Sequence, residues 1–493
     1  MTLNTSLTKN IFISIFFLIN LYSISYQIKI PVKQIKTKFQ KSIPKKVSAN
    51  PDITPQSISD EFNNLDNYLF AVDISIGSNK QPFRVLLDTG SEILWVPGQE
   101  VSTSKKYIPS SSSTSQRTSE TLNYEYASGK ITGHYYTDQI NFLLSNSFFA
   151  YFGVANKNNL LDYYFDGIMG FGRKYQNTKY SIIHTIKNNG GIANTKFSFK
   201  YDYDTDDLYF YLGEEHSDFH NSNLANCPLI NSEFYGKSLW VCGIYSLGIK
   251  DGDNIVKKKT MDIEGLFDTG TNNIVFPSKY ISDFQSTITN FNCYLYEEGN
   301  SNVGSQKAIY CRNPDKLPKI TIGVKQYILT LGKRNFYNRI YVNKEYVYRL
   351  RFLFMQNIDF CVIGQNFFYE YHTLFDDERS LLTFFNDDKS KIVYHEEKDE
   401  GIKTWLLILI IVGSAVVVVG ITATIIIYCC YCKKKKYYKS IVLNKELLEM
   451  SSIKKEEDYD DDDDYNENNF NKIMSITSYR NNKGINININ PKK

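Results

Sequence analysis

The sequence predicts a mainly β protein made of two related halves about an internal pseudo-twofold axis, followed by one transmembrane helix. Three observations carry that expectation. From about residue 67 to 394 the chain is a succession of short runs rich in Ile, Val, Phe, Tyr and Thr, broken by Gly, Asn, Asp and Ser, which is the pattern of strands joined by turns. One distinctive element occurs twice, with its second Asp 180 residues after the first. Residues 405–430 contain no charge and many Val and Ile.

Composition limits the function before any motif is read. Across 493 residues, 42% are hydrophobic and 15% aromatic, sufficient for a large packed core and incompatible with wholesale disorder. With only 12 Pro and 27 Gly, a collagen-like or low-complexity architecture is excluded. The net charge of +3 hides a segregation: residues 26–50 carry seven Lys and no acid, and 433–436 add four more Lys. Between 60 and 402 there are 34 basic and 41 acidic residues, which disfavours a basic groove for nucleic acid.

Taken in order, the chain opens with Lys9, an apolar run over 11–21, then Ser23 and Ser25, the three-part form of a secretory signal over 1–25 cleaved after Ser25. A basic segment follows over 26–63. Strands are expected at 68–76, 83–87, 130–142, 196–201, 208–212 and 325–331, with helical periodicity brief, as around 181–188. Val85-Leu-Leu-Asp88-Thr-Gly-Ser-Glu-Ile-Leu-Trp-Val-Pro97 recurs as Gly265-Leu-Phe-Asp268-Thr-Gly-Thr-Asn-Asn-Ile-Val-Phe-Pro277. A weaker pair is Asp166-Gly-Ile-Met-Gly170 and Cys361-Val-Ile-Gly364.

Cys227, Cys242, Cys293, Cys311 and Cys361 all fall between the secretory signal and the apolar segment, so they are expected in an oxidising compartment. Cys293 and Cys311 enclose a short polar segment and read as a disulfide-closed loop. Cys227 and Cys242 pair only if their strands come face to face. Five is odd, so one thiol stays free unless it pairs between chains. No metal site is expected, because the six His form no H-E-x-x-H pattern and no C-x-x-C lies outside the cluster Cys429, Cys430, Cys432.

The roughly 24 residues of 405–428 rise about 36 Å as a helix, sufficient to span a bilayer with some tilt. Trp405 suits the outer interface and the lysines at 433–436 the cytosolic side, giving a type I topology with a transmembrane helix over 405–430. The tail, 431–493, is expected to be disordered, with an acidic run over 456–467. Cys429, Cys430 and Cys432 suit thioacylation. Tyr438-Lys-Ser-Ile441 has the Tyr-x-x-apolar form of a sorting signal and, with the acidic run, points to the endosomal, lysosomal or vacuolar system, with the cell surface as the alternative.

An apolar strand ending in Asp-Thr-Gly presents a carboxylate from a rigid scaffold. The Gly allows close backbone approach, and Ser91 or Thr271 offers a hydroxyl to an outer carboxylate oxygen. If Asp88 and Asp268 meet at the pseudo-axis, the two charges cannot both be tolerated and one proton is shared. Such a pair can take a proton from a trapped water and give one to a scissile carbonyl, with no metal, cofactor or covalent intermediate required.

On these motifs the chain resembles a pepsin-like aspartic endopeptidase over roughly 28–395. That implies a bilobal double β-barrel, here with an N-terminal lobe over 64–230 and a C-terminal lobe over 231–396. The resemblance further implies Asp88 and Asp268 as catalytic, and Thr89, Gly90, Ser91, Thr269, Gly270 and Thr271 as their support. Tyr124-Glu-Tyr-Ala-Ser-Gly-Lys-Ile-Thr-Gly133 is similar to the flap hairpin, with Tyr126 at the flap tyrosine and Trp95 as its partner. Cys293 and Cys311 match the family's C-lobe disulfide, and 28–32 followed by lysines resembles an inhibitory propeptide. The family's small N-lobe disulfide is missing. Glu92 stands where a small polar residue is usual, Ala127 replaces a flap Gly, and Gln365 replaces an Asp. The implied partners are peptide or protein substrates, acting on a monomeric catalytic unit. An active, membrane-anchored enzyme working in acid is the first reading, and a non-catalytic peptide-binding relative the second.

Overall fold

The computed structural model describes residues 28–37, 45–46, 67–126, 129–142, 147–158, 165–173, 178–233, 236, 238–300, 304–332, 336–342, 345–394 and 404–456. The secretory signal, most of the basic segment, Ala127 and the tail beyond 456 lie outside them. The chain divides into two units, Met1–Glu397 and Lys398–Lys493.

The first unit is bilobal and almost wholly β, with one 13-stranded and one 12-stranded sheet. Period-two alternation decides what each strand buries. In Asn67–Ile76, Phe70, Val72, Ile74 and Ile76 enter the main core, while Leu69 and Ala71 face a smaller cluster with Trp95, Leu122 and Ile131. Each fully buried Phe or Ile, such as Phe70 and Ile76, contributes roughly 1.5–3 kcal/mol of transfer free energy.

The sequence repeat becomes a topological repeat. Strand Gln81–Asp88 runs parallel to Gly167–Gly170, pairing Asp88 with Gly170, and Gly167–Gly170 pairs antiparallel with Leu94–Pro97. In the second half, Asn254–Phe267 runs parallel to Cys361–Ile363, which pairs antiparallel with Ile274–Pro277. The outer neighbour is parallel in each case: Trp95 pairs with Gly153, and Ile274 with Phe352.

The expected division at residue 230 is not a clean cut. Strands His372–Asp376 and Leu381–Phe385, late in the chain, join Lys196–Asp202 and Leu224–Pro228 in the 13-stranded sheet. Phe375 stacks on Phe197 at 4.7 Å, so one aromatic layer serves both segments. Part of the expected basic propeptide is also built in. Ile28–Thr37 lies between Asp207–Leu212 and Asn67–Ile76, with Lys33 on Asp73 and the Lys29 ammonium 3.6 Å from the Tyr209 ring centroid. Lys45 and Lys46 pair with Glu297 and Tyr296.

Most expected strands appear within a residue or two. The run at 325–331 is shortened to Tyr327–Leu331, because Lys325 takes a left-handed turn conformation (φ 48°). Helix Ile182–Asn188 forms where the periodicity put it, and Ile281–Thr289 is a helix the strand reading passed over.

Among the described residues, the second unit is a single helix, Thr404–Glu456, carrying a stretch long and apolar enough to cross a membrane. It corrects the expectation of a disordered tail from 431. Between 431 and 456 there is no Gly or Pro, and Lys, Leu and Glu are strong helix formers, so the helix runs on until the acidic block begins. Tyr438-Lys-Ser-Ile441 is therefore helical.

Two disulfides form, Cys293–Cys311 and Cys227–Cys242. The second closes because the bridge between Leu229 and Cys242 brings the two segments face to face. Cys361 is free and buried, and burial pushes its thiol well above the ordinary range. Peptide mapping without reduction should recover both bridges, with Cys361 alkylated only after denaturation. Replacing Cys227 by Ser opens a loop of separation 15 and should cost on the order of 3 kcal/mol in denaturant unfolding.

Candidate active site

Each Asp-Thr-Gly sits where an apolar strand leaves its sheet. Leu87 and Phe267 are fully buried and anchor the loops, which pass over Gly170 and Gly364. Neither glycine tolerates a side chain: a Cβ on Gly170 would stand 2.5 Å from the Ile93 amide, and one on Gly364 2.2 Å from the Asn273 carbonyl oxygen. This explains the weaker repeat in the sequence, an apolar pair ending in Gly under each loop.

Asp88 and Asp268, 6% and 9% exposed, have matching surroundings. The Gly90 N–H donates to Asp88 Oδ1 at 2.9 Å and the Ser91 hydroxyl to Oδ2 at 2.5 Å. The Gly270 N–H donates to Asp268 Oδ1 at 2.7 Å and the Thr271 hydroxyl to Oδ2 at 2.5 Å. A reciprocal set of bonds joins the loops. Thr89 Oγ1 donates to the Phe267 carbonyl (2.8 Å) and accepts from the Thr269 N–H (3.0 Å). Thr269 Oγ1 donates to the Leu87 carbonyl (2.7 Å) and accepts from the Thr89 N–H (3.0 Å). The carboxyls consequently come within hydrogen-bonding reach of one another. A Cβ on Gly90 would lie 2.5 Å from Asp268 Oδ1, and one on Gly270 2.5 Å from Asp88 Oδ1.

Comparison with known proteins agrees with this geometry. The profile of the eukaryotic aspartyl protease family matches residues 69–385. The chain belongs to that family. It is 29% identical to Pepsin II-2/3 of Oryctolagus cuniculus over 358 residues, 66% of this chain and 83% of the relative. It is 25% identical to Vacuolar aspartic protease of Candida albicans over 364 residues, 67% of this chain and 79% of that protein. Vacuolar protease A of Aspergillus fumigatus is 26% identical over 298 residues, 54% of this chain and 67% of the relative.

In this member of the family the strand carrying Tyr126 lies against the first loop. The Trp95 indole N–H donates to the Tyr126 hydroxyl at 2.9 Å, and the Tyr124 and Tyr126 rings lie 4.9 Å apart. Burial, then the charge of Asp88, hold the Tyr126 hydroxyl well above its ordinary range, so it stays a neutral donor. The tip residue Ala127 is outside the described residues.

Sequence reading missed three supports. Gln365 donates from its backbone to the Thr271 carbonyl and from its side chain to the Thr269 carbonyl, both at 2.7 Å. Arg349 and Glu298 form a buried double hydrogen bond at 2.7 Å, and Arg349 reaches Asn273 at 3.4 Å. Arg351 donates to the Asn272 carbonyl at 3.2 Å. The signal was present: two arginines inside the otherwise apolar strand Glu345–Met355 require partners. Away from the aspartate loops, His216, Asp218 and His372 bring potential metal-ligating atoms within 4.8 Å, with the Lys200 ammonium 2.8 Å from Asp218 Oδ2.

The Asp88 carboxyl is pushed well above the ordinary range, first by burial and then by the negative charge of Asp268. A folded-state value raised in this way stabilises the fold in acid, and that contribution is lost as pH rises from the unfolded carboxyl range through the folded value. Asp88→Asn removes the penalty. It should raise the melting temperature by roughly 2–4 °C at pH 7 and hardly at all near pH 3. An equal shift at both pH values in thermal unfolding would contradict the assignment.

Proposed function

We propose that the protein is a membrane-anchored aspartic endopeptidase in which Asp88 and Asp268 share one proton and activate water between them. The observation that carries this reading is the reciprocal Thr89–Thr269 cross-link, which holds two carboxyls together where both cannot ionise. The ionised member takes a proton from water as the oxygen attacks the scissile carbonyl carbon, and the protonated member donates to the carbonyl oxygen. The resulting gem-diol collapses as a proton passes to the leaving amine. Ser91, Thr271, Gly90 and Gly270 hold the outer and inner carboxylate oxygens in orientation. Tyr126, tied to Trp95, closes the strand over substrate and excludes water. Requirement for one protonated carboxyl favours acidic conditions.

The anchoring reading is supported by helix Thr404–Glu456 with its apolar stretch and by the lysines at 433–436, which favour a type I orientation. A vacuolar or other acidic compartment accords with the names of two relatives. Two lobes about the expected boundary near 230, with the late strands His372–Asp376 and Leu381–Phe385 returning to the sheet of the first half, a monomeric catalytic unit and a regulatory basic propeptide belong to the same proposal. The full set of Asp, Ser, Thr and Tyr side chains in bonded positions favours catalysis over peptide binding alone.

The test is hydrolysis of denatured protein between pH 3 and 7, with and without pepstatin. Pepstatin-sensitive cleavage strongest in acid is expected. Asp88→Asn and Asp268→Asn should each reduce turnover by at least about a hundredfold, with the double variant little worse than either. Retention of more than a few per cent of activity in either single variant overturns the shared-proton mechanism.

A further inference from the structure

We propose that Glu120, bound by Lys179 and Tyr180, is a positioning residue for the hairpin that carries Tyr126. This rests on the reading that the hairpin covers a peptide in the cleft, and it names what holds the hairpin in place.

The hairpin pairs Gln116–Tyr126 with Gly129–Asn141, but its ladder is interrupted. Arg117 pairs with Tyr136 and Thr121 with His134, so Thr118, Ser119 and Glu120 stand opposite Tyr135 alone. The strand bulges here, and a bulge is where a paired strand bends. The Thr118 hydroxyl fills the gap within the hairpin: it donates to the Tyr135 carbonyl at 3.0 Å and accepts from the Glu120 N–H at 3.2 Å. Glu120 ties the same bulge to the rest of the molecule.

Its carboxylate receives the Lys179 ammonium on Oε1 and the Tyr180 hydroxyl on Oε2, the latter at 2.5 Å. Both donors belong to segment Thr178–Tyr180, which leads into helix Ile182–Asn188, itself anchored by buried Ile182, Ile183 and Ile186. A solitary exposed ion pair contributes little, but this one is part of a network. The Lys179 ammonium lies 4.7 Å from the Tyr151 ring centroid and 4.9 Å from that of Tyr180. Tyr135 stacks on Tyr151 at 5.0 Å, and Tyr180 meets these two rings at 5.1 and 5.2 Å. Tyr135 is also buried in the cluster that includes Trp95, against which Tyr124 and Tyr126 pack. One side of this aromatic layer therefore holds Glu120, and the other carries the tyrosine bonded to Trp95.

The titratable groups facing Glu120 are Lys179 and Tyr180 on the body segment, Tyr151 on Phe148–Asn158 and Tyr135 on the opposing strand of the hairpin. Arg117, on its own strand, goes to His134 at 2.8 Å. Lys179 first, then the Tyr180 and Tyr151 hydroxyls, hold the Glu120 carboxyl down at about 2. The clamp is thus complete above the ordinary carboxylate range, weakens as pH falls below it and is lost near 2.

The experiment compares full-length wild type, Glu120→Gln, Lys179→Met, their double variant and Lys179→Arg, by hydrogen exchange of the free protein and by pepstatin binding. At pH 5, each single loss should speed exchange of the amides in 121–135 about fivefold and weaken pepstatin about fivefold, with exchange in 265–277 unchanged. The double variant should be no worse than either, and Lys179→Arg should behave as wild type. The kinetic loss should fall on KM, with kcat within about twofold. The ratio of wild type to Glu120→Gln affinity should shrink to about one at pH 2. Unchanged exchange, an affinity that does not follow it, a loss carried by kcat, or a ratio as large at pH 2 as at pH 5 overturns the proposal. A protein that hydrolyses nothing yet shows both changes would refute the catalytic reading and leave the clamp standing. If wild type binds no pepstatin, the cleft reading fails and exchange alone decides the clamp.

Discussion

Four hydrogen bonds made by two buried threonines across the aspartate loops are the constraint from which the rest of this site follows. Each hydroxyl donates to the carbonyl just before the opposite aspartate and accepts from the opposite threonine amide. Both threonines are essentially inaccessible to solvent, so these bonds do not compete with water and their loss would leave buried groups unpaired. Through them the position of Asp88 depends on a loop 180 residues away. A single half could present a carboxylate, but only the joined halves can force two of them to share a proton.

That forced proximity runs against stability, and the surrounding structure offsets it. Strong apolar strands end at each aspartate, glycines beneath the loops let backbone meet backbone, and Gly90 and Gly270 leave no volume for a side chain between the carboxyls. On the second loop, Gln365 and the Arg349–Glu298 pair add further bonds to Thr269, Thr271 and Asn273. The strain of two juxtaposed acids is confined to a few atoms, while the sheets that hold them are conventionally packed. Active sites that need perturbed carboxyls commonly have this division between a costly centre and a rigid frame.

What the sequence made legible was local in the chain. Asp-Thr-Gly, the following hydroxyl residue and the glycine after each apolar pair are contiguous signals, and doubling them revealed the pseudo-twofold. Tyr126 and Trp95 were legible only through resemblance, because their meeting depends on the hairpin Gln116–Tyr126 and Gly129–Asn141 folding back. The Cys293–Cys311 bridge closes directly across paired strands and could be read from a short loop. Cys227–Cys242 depended on how two segments bridge in space. The strands at 372–376 and 381–385 crossed the expected lobe boundary for the same reason: sheet membership is set by tertiary pairing, which composition does not encode. The helix beyond 430 departs from the expected disordered tail because Lys, Leu and Glu are strong helix formers and no Gly or Pro interrupts them before 456.

The central claim is that Asp88 and Asp268 hold one proton between them. Neutron diffraction from perdeuterated crystals near neutral pH locates it directly. The account predicts a single deuteron within the two carboxyls, shared across their inner oxygens, with Ser91 and Thr271 hydroxyl deuterons pointing at the outer ones. Two bare carboxylates, or a separate deuteron on each, would contradict it.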